Sequence, residues 1–246
     1  MSTLLVIGGT TEARRAASRL KSEGYQVVVS VATGLGEEYA AGHEVISGSR
    51  DGEGMAAEAL SLKAAAVIDC SHPFALGASS SARGAAATAA VPYIRFTREP
   101  GEEDAVELVA SWEDAVLRLQ RLGERALLTI GVRNLGLFTA AGIDFAARVL
   151  PLPDSIGECH RLGLGPEDII AAFPPHDVDF NRACIRKAGA RVLVMKDSGA
   201  EGGTPAKVEA AAAEGIRALM VRRPQEEGGI VDIDELVARV REVAGA

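Results

Sequence analysis

The sequence is poor in aromatic residues, since Phe, Trp and Tyr make up only 4% of its 246 residues. A core must therefore be built from Ala, Val, Leu and Ile, and the alanine-rich runs suit helices that pack closely on a sheet. No apolar run reaches the roughly 18 residues that are needed to span a bilayer. The opening stretch "MSTLLVIGG" lacks the basic region and cleavage site of a signal peptide, so it predicts a first strand instead.

Cysteine and basic charge are also scarce. The 3 cysteines are odd in number and lack metal-ligand spacing, which indicates reduced thiols in a cytoplasmic protein and no metal site. The net charge of −8 argues against nucleic acid as the main partner, because phosphate binding needs a basic face. Small anionic substrates are compatible with this charge, since they respond to local charge alone. We therefore expect a small-molecule substrate, with no nucleic acid or membrane partner; the oligomeric state stays open.

Short apolar runs alternate with helical patterns along the chain, which predicts parallel sheets built from βαβ units. The expected fold is α/β, with two Rossmann-like halves, each a mainly parallel sheet flanked by helices, and a cleft between them. We expect a nucleotide-binding domain over 1–100, a crossing segment and helix over 101–125, and a C-terminal domain with substrate-binding loops over 126–246.

The first predicted strand runs into the turn Gly8–Gly9–Thr10–Thr11 and then into a helix. Glycines let a backbone approach a diphosphate closely, and a helix N terminus offers free N–H groups and a positive dipole end. Thr10 or Thr11 can cap the helix or donate a hydroxyl to phosphate. The full G-x-G-x-x-G pattern is absent, so an ordinary strand-to-helix turn stays open as the alternative.

The end of the second strand offers Ser30 and Thr33 but no acidic residue. NAD-binding folds tend to place an acid there for the ribose hydroxyls, so its absence permits a 2′-phosphate. This favours NADPH as the cofactor, with NADH possible. Arg50, after the third strand, is the candidate for neutralising that phosphate, and the alternative is a solvated loop residue.

The fourth strand ends in the loop Cys70–Ser71–His72–Pro73. Ligands of open α/β sheets bind outside the carboxyl ends of strands at the switch in strand order, which the first and fourth strands commonly flank. We therefore expect this loop and the glycine turn to face one crevice. Ser71 can hydrogen-bond a cofactor and Pro73 stiffens the turn where the helix starts. His72 can contact the nicotinamide ribose, bind a carboxylate, donate a proton or merely cap local backbone.

Two strand ends in the second half carry basic side chains. Arg133 lies at one strand-to-helix turn, and Lys196 ends another strand ahead of Ser198, Gly199 and a glycine-rich loop. A lysine beside a Ser-Gly pair suits an anion, although an isolated lysine is more often solvated. These four residues are the predicted substrate-binding residues.

Taken in order, these segments resemble the precorrin-6A reductase and cobalt-precorrin-6A reductase family of corrin (vitamin B12) biosynthesis. The matching segments, spread over nearly the whole chain, are GGTTEAR, DCSHPFA, PYIRF, TIGVRNL, RVLP and KDSG, the last where many members read K-N-S-G-G. The resemblance implies a nicotinamide-dependent reductase with two Rossmann-like halves. It would reduce one carbon–carbon double bond of a macrocyclic tetrapyrrole, giving precorrin-6B or its cobalt form.

The implied substrate is a ring fringed with carboxylates, which need basic partners. Besides Arg133 and Lys196, the candidates for that role are Arg95, Arg98 and Arg148. His72 is the candidate catalytic proton donor, and no metal ligands are predicted.

Other interpretations differ in class. A short-chain dehydrogenase needs a Tyr-x-x-x-Lys pair, which Tyr25, Tyr39 and Tyr93 do not provide. A non-catalytic nucleotide-sensing module, or a protein that binds a sugar or small anion, stays open because fold alone does not fix function. The sequence does not decide whether the ring carries cobalt.

Overall fold

The structure is a computed structural model, and it describes residues 2–32, 34–97, 106–224 and 229–245. The chain forms two compact units: unit 1 is Met1–Glu99 with Pro224–Ala246, and unit 2 is Pro100–Arg223. Each unit contains a parallel sheet flanked by helices, which confirms the predicted α/β class. No helix among the described residues is long and apolar enough to cross a membrane.

The elements alternate as the sequence predicts. The strands are β1 (Thr3–Ile7), β2 (Gln26–Val31), β3 (Glu44–Ser47), β4 (Ala66–Asp69), β5 (Tyr93–Arg95), β6 (Glu107–Val109), β7 (Ala126–Leu128), β8 (Phe145–Val149), β9 (Ile169–Ala171), β10 (Val192–Lys196) and β11 (Arg217–Val221). The α-helices are α1 (Thr11–Ser22), α2 (Gly34–Tyr39), α3 (Gly52–Ser61), α4 (Leu76–Thr88), α5 (Trp112–Leu122), α6 (Leu135–Ala140), α7 (Pro153–Arg161), α8 (Val178–Ala188), α9 (Thr204–Ala213) and α10 (Ile233–Ala244).

The sheet of unit 1 has the strand order β3-β2-β1-β4-β5, with every described pair parallel. Helices α1 and α10 contribute to the core on one face, and α3 and α4 contribute to the core on the other. Because both faces are covered, Leu4, Leu5 and Val6 of β1 are fully buried. This explains why the first strand is apolar at successive positions rather than alternating.

The sheet of unit 2 has the order β6-β11-β10-β7-β8-β9, and its described pairs are also parallel. Read from β9, this is the strand order of unit 1 with one strand added. Strand β7 takes the place of β1, β10 that of β4, and β11 that of β5. The two units therefore share one topology, with the switch in strand order at β1/β4 and at β7/β10.

The added strand β6 lies in the segment that the sequence predicted as a crossing between the halves. It pairs with β11 at the edge of the sheet, and Glu107 and Leu108 are exposed. A short edge strand with exposed side chains lacks the continuous apolar pattern by which the other strands are recognised.

The compact units also differ from the predicted domain bounds at both ends of unit 2. The segment predicted as a separate crossing contributes β6 and α5 to unit 2, whereas the last helix returns to unit 1. There Leu236, Val237 and Val240 of α10 join the buried cluster that includes residues of β1 and α1. Pairing of Phe96 with Ile230 extends the edge of the unit 1 sheet to this returning segment.

Candidate functional site

In unit 1, the loops that follow β1 and β4 meet at the switch in strand order, as predicted. Ile7 and Asp69 are register partners at the carboxyl ends of these neighbouring parallel strands. Directly beyond them, the Thr10 hydroxyl donates a hydrogen bond of 2.8 Å to the carbonyl oxygen of Cys70. The same Thr10 oxygen accepts from the Ala13 N–H at 3.1 Å, so it caps α1 and joins the two loops at once.

The two glycines of the turn are required by the packing of the chain itself. Gly8 has a φ of +129°, and a methyl group there would lie 2.8 Å from the Cys70 carbonyl oxygen. A methyl group on Gly9 would lie 2.4 Å from the Cα of Gly36 in α2. Backbone thus contacts backbone on both sides of the turn. Thr11, which is half-buried, follows this turn as the first residue of α1.

The buried carboxylate of Asp69 holds the start of the loop Cys70–Ser71–His72–Pro73. It is 0% exposed, and it accepts the Ser71 N–H at 2.9 Å and the Tyr93 hydroxyl at 2.7 Å. Burial, followed by the Asp69 charge and hydrogen bond, raises the pKa of Tyr93, so Tyr93 donates as a neutral phenol. Burial, with the Asp69 charge, also holds the pKa of the Cys70 thiol well above its usual value.

Arg95, a predicted partner of substrate carboxylates, is instead part of this buried network. Its guanidinium is 3.4 Å from the Asp69 carboxylate, donates to the Asp69 carbonyl oxygen at 3.0 Å, and belongs to a residue that is 5% exposed. Only two or three of the five basic candidates are expected to contact the substrate, and Arg95 instead serves as a counter-charge of Asp69. Arg98 and Thr33 lie outside the described residues.

His72 and Pro73 form a tight turn rather than the start of the helix. The Ala75 N–H donates to the His72 carbonyl oxygen at 2.7 Å, and α4 begins only at Leu76. The Phe74 N–H donates to Nδ1 of His72 at 3.2 Å, so local backbone capping is present. Because Nδ1 accepts a hydrogen bond, the neutral ring carries its proton on Nε2. The half-buried imidazole is therefore held as an Nε2–H donor.

The Ser71 side chain is the feature of this loop that most suits a ligand. Its hydroxyl is buried and has no hydrogen-bond partner among the described residues. An unpartnered buried hydroxyl is uncommon in folded proteins, and a bound polar group at this point would satisfy it. Ser71, the half-buried Thr11 and the α1 N terminus therefore fit a nicotinamide nucleotide at the switch point.

Arg50, the candidate for a 2′-phosphate, is engaged within its own loop. It donates to the carbonyl oxygens of Ser47 at 2.9 Å and Gly48 at 2.7 Å, and it forms an ion pair with Glu58 of α3. Next to it, Asp51 caps α3 by accepting the Gly54 N–H at 2.9 Å. These contacts use Nε and Nη1 of the guanidinium, so a phosphate would be met by Nη2 or in exchange for Glu58.

Unit 2 repeats the Asp–Arg arrangement at the equivalent strand ends. Asp197, directly after β10, accepts the Gly199 N–H at 3.3 Å and is held by Arg223, which follows β11, through two hydrogen bonds of 2.9 Å. Asp69 and Arg95 occupy the corresponding places beside β4 and β5. The Asp197 carboxylate thus has Arg223 as its counter-charge.

The four predicted substrate residues share one edge of the unit 2 sheet. Strands β7 and β10 are neighbours, and Arg133 follows the first while Ser198 and Gly199 follow the second. Arg133 is exposed and Lys196 is half-buried, whereas Ser198 is buried and donates to the Lys196 carbonyl oxygen at 3.1 Å. Arg133 and Lys196 are thus the members of this set whose charged groups solvent can reach.

The sequence analysis did not identify Lys207, which lies in the first turns of α9. Arg148, a predicted partner of substrate carboxylates, is not at the surface. Both residues are 7% exposed. Lys207 could have been noticed as the lysine that ends the glycine-rich loop segment GAEGGTPAK. In the described part of the chain, no group of three or more His, Cys, Asp or Glu side chains is placed to hold a metal ion.

Comparison with known proteins identifies the family of the chain. Residues 3–241 match the family described as precorrin-6x reductase CbiJ/CobK. The chain is 35% identical over 237 residues to the cobalt-precorrin-6A reductase of Priestia megaterium, with 93% of each chain covered. It is also 35% identical over 233 residues to the cobalt-precorrin-6A reductase of Methanothermobacter thermautotrophicus, covering 91% of this chain and 77% of that protein.

Among solved structures, the fold is similar to CobK precorrin-6A reductase with a TM-score of 0.78 and 26% identity, covering 100% of this chain and 98% of that one. The similarity therefore spans both units rather than one nucleotide-binding sheet. The chain belongs to the precorrin-6x reductase CbiJ/CobK family, which confirms the predicted family and the oxidoreductase class.

Proposed function

We propose that the protein reduces one ring double bond of precorrin-6A, or of its cobalt form, to the precorrin-6B level with NADPH. The observation that carries the proposal is the family match over residues 3–241, which includes both sets of strand-end loops. The sensing and anion-binding alternatives are not favoured, because the relatives matched over most of the chain are named as reductases.

The cofactor residues in this proposal are those at the switch point of unit 1. The turn Gly8–Thr11 and the N terminus of α1 receive the diphosphate, and the Ser71 hydroxyl and Pro73 lie beside the nucleoside. Support comes from the joining of the two loops by Thr10 and from the unpartnered Ser71 hydroxyl. When bound, the nicotinamide supplies the hydride, so the chain has to orient the substrate and exclude water.

The preference for NADPH is the finer part of the proposal. No acidic residue ends β2, and Ser30 is buried with its carbonyl oxygen accepting the Gly8 N–H at 3.0 Å. Arg50 is the cation of this loop, and on binding it would exchange Glu58 for the 2′-phosphate. NADH is the alternative cofactor.

His72 is the proposed proton donor. The bond from the Phe74 N–H to Nδ1 holds the ring in its neutral form. Donation of a proton from Nε2 would need the imidazolium form, in which Nδ1 also carries a proton and releases the Phe74 N–H. General acid catalysis of this kind contributes at least a hundredfold in rate as an order of magnitude. If His72→Ala lowers turnover by less than about tenfold, the proton comes from another group or from water.

Substrate carboxylates are assigned to unit 2. Arg133 and Lys196 supply the charge at the carboxyl edge of the sheet, and Ser198 and Gly199 shape the loop. The names of the two curated relatives at 35% identity favour the cobalt form of the ring. The 3 described cysteines are free thiols, which suits a cytoplasmic enzyme.

The test is anaerobic mixing of the protein with precorrin-6A or its cobalt form and either nucleotide, following nicotinamide absorbance and the corrinoid spectrum together. Oxidation of NADPH coupled to a spectral change of the ring is expected, faster with the cobalt form. Turnover with NADH alone would contradict the cofactor assignment. Absence of turnover with both rings and both nucleotides would overturn the proposed function.

A further inference from the structure

Two buried cationic side chains in unit 2 have no counter-charge among the residues that the structure describes. Arg148 in β8 and Lys207 in α9 are each 7% exposed. Arg148 donates to the side-chain oxygen of Asn181 at 2.6 Å, and Lys207 donates to the carbonyl oxygen of Gly202 at 3.1 Å. Within the described residues, neither cation forms an ion pair. Buried charges are normally paired, because removal from water is costly.

These groups lie on elements that pack together, because β8, α8 and α9 all contribute to one buried cluster of unit 2 and Arg148 is bonded to Asn181 of α8. Burial, followed by the charges of Arg148 and Lys196, lowers the pKa of Lys207 to about 7. Burial, then Arg148 and Lys207, lowers the pKa of His176 to about 4, against a smaller opposing influence of Asp177. Lys207 therefore lies in a field of positive charge, and no carboxylate among the described residues opposes that effect on it.

A second, independent feature lies on the same helix. Thr204, the first residue of α9, is 0% exposed, and its hydroxyl has no hydrogen-bond partner among the described residues. It follows Gly203, which has a φ of +72° and ends the glycine-rich loop that begins beside Lys196. An unpartnered hydroxyl one turn from a buried lysine is the polar complement that an anionic oxygen needs.

We propose that Lys207 and Arg148, with the Thr204 hydroxyl, form a subsite for one carboxylate of the substrate. The subsite rests on the proposed function, since the ring is the source of the carboxylate, and it lies in the same unit as Lys196. Asn181 is a positioning residue, because its oxygen holds the Arg148 guanidinium. A nucleotide phosphate presents similar oxygens, so the experiment separates the two sources.

The main variant is Lys207→Met, which removes the charge but keeps a long apolar side chain. Lys187→Met is the matched control, because Lys187 is exposed on α8 of the same unit. Arg148→Met is the second variant and provides the test if Lys207→Met fails to fold. For each variant, the melting temperature is measured without substrate in tricarballylate or in inorganic phosphate at constant ionic strength. The KM for the ring and the Kd for NADPH are then measured.

We expect Lys207→Met to melt at or above the wild-type temperature without ligand, since a buried cation is removed. Tricarballylate should raise the Tm of the wild type and Lys187→Met but not that of Lys207→Met. The KM for the ring should rise by about tenfold or more, the effect of losing one charged hydrogen bond. The Kd for NADPH should stay within about twofold.

Equal stabilisation of the wild type and Lys207→Met by both anions, with KM unchanged, would overturn the subsite. A response specific to phosphate, with a weaker Kd for NADPH, would overturn the carboxylate and assign the subsite to the nucleotide. If the wild type shows no reductase turnover but tricarballylate stabilises it through Lys207, the proposed function fails and the anion subsite stands.

Discussion

Replacing Asp69 with Asn should destabilise the protein by about 3 kcal/mol, because it removes the counter-charge of a buried arginine. The amide oxygen can still accept the Ser71 N–H, which Asp69 binds at 2.9 Å. The Arg95 residue is 5% exposed and keeps its 3.0 Å bond to the Asp69 carbonyl oxygen, but it loses the carboxylate. Removing one partner of a buried pair costs about 3–5 kcal/mol, and the retained bond places this case at the lower end.

Asp234→Asn is the matched control in the same unit. The Asp234 side chain is 76% exposed and meets Arg19 at 3.0 Å, so its loss should cost under about 1 kcal/mol. Both variants would be unfolded in urea at pH 7 and compared at a common m value. Hydrogen exchange would then report whether the loss is confined to unit 1.

The double variant Asp69→Asn/Arg95→Met separates the ion pair from the rest of the network. Because the Arg95 charge is removed together with the Asp69 carboxylate, it should recover part of the stability lost in Asp69→Asn alone, giving a coupling free energy of at least about 1 kcal/mol. If Asp69→Asn falls within about 1 kcal/mol of Asp234→Asn, the reasoning about the buried pair is refuted.

Three further predictions concern ligands and pH. Ser71→Ala should weaken NADPH binding by about fivefold or more but change the unfolding free energy by under about 0.5 kcal/mol, because the hydroxyl has no partner in the described residues. Fluorescence titration measures the binding and urea unfolding measures the stability; a loss of stability with unchanged binding would contradict the prediction. Arg50→Met should raise the Kd for NADPH about tenfold but not that for NADH, and equal losses for both would remove Arg50 from the 2′-phosphate site. The folded-state pKa of Lys207, about 7, lies below its ordinary value, so the unfolded chain binds the proton more tightly and stability should rise with pH above 7. Between pH 7 and 9 the wild type should gain about 2 kcal/mol relative to Lys207→Met, and parallel pH profiles would contradict this.

The fold was largely predictable because most strands can be identified from the local sequence pattern. Runs such as that of β1 are apolar at successive positions, since helices cover both faces of the sheet. The exception is β6, whose Glu107 and Leu108 face solvent at a sheet edge. The return of α10 to unit 1 was not predictable either, because an amphipathic helix carries no signal about which of two similar sheets it covers.

The site was predictable only in outline, because parallel neighbours are distant in sequence. The meeting of the β1 and β4 loops follows from topology, and Thr10 and Cys70 indeed share a hydrogen bond. Arg95 looked like a surface cation, and its partner Asp69 lies 26 residues away on the adjacent strand. The burial of Lys207 could not be predicted, because Lys207 lies in α9 whereas Arg148, whose charge affects it, lies in β8 and is distant in sequence.

The return of the last helix to unit 1 also sets the order in which the molecule can be completed on the ribosome. Unit 2 is continuous in sequence, so every residue of its core is available once the chain reaches Arg223. Unit 1 has to wait for Leu236, Val237 and Val240, without which one face of its sheet keeps apolar surface open to water. The unit synthesised first is therefore the unit that closes last, and it is exposed to misassembly for as long as unit 2 is being made.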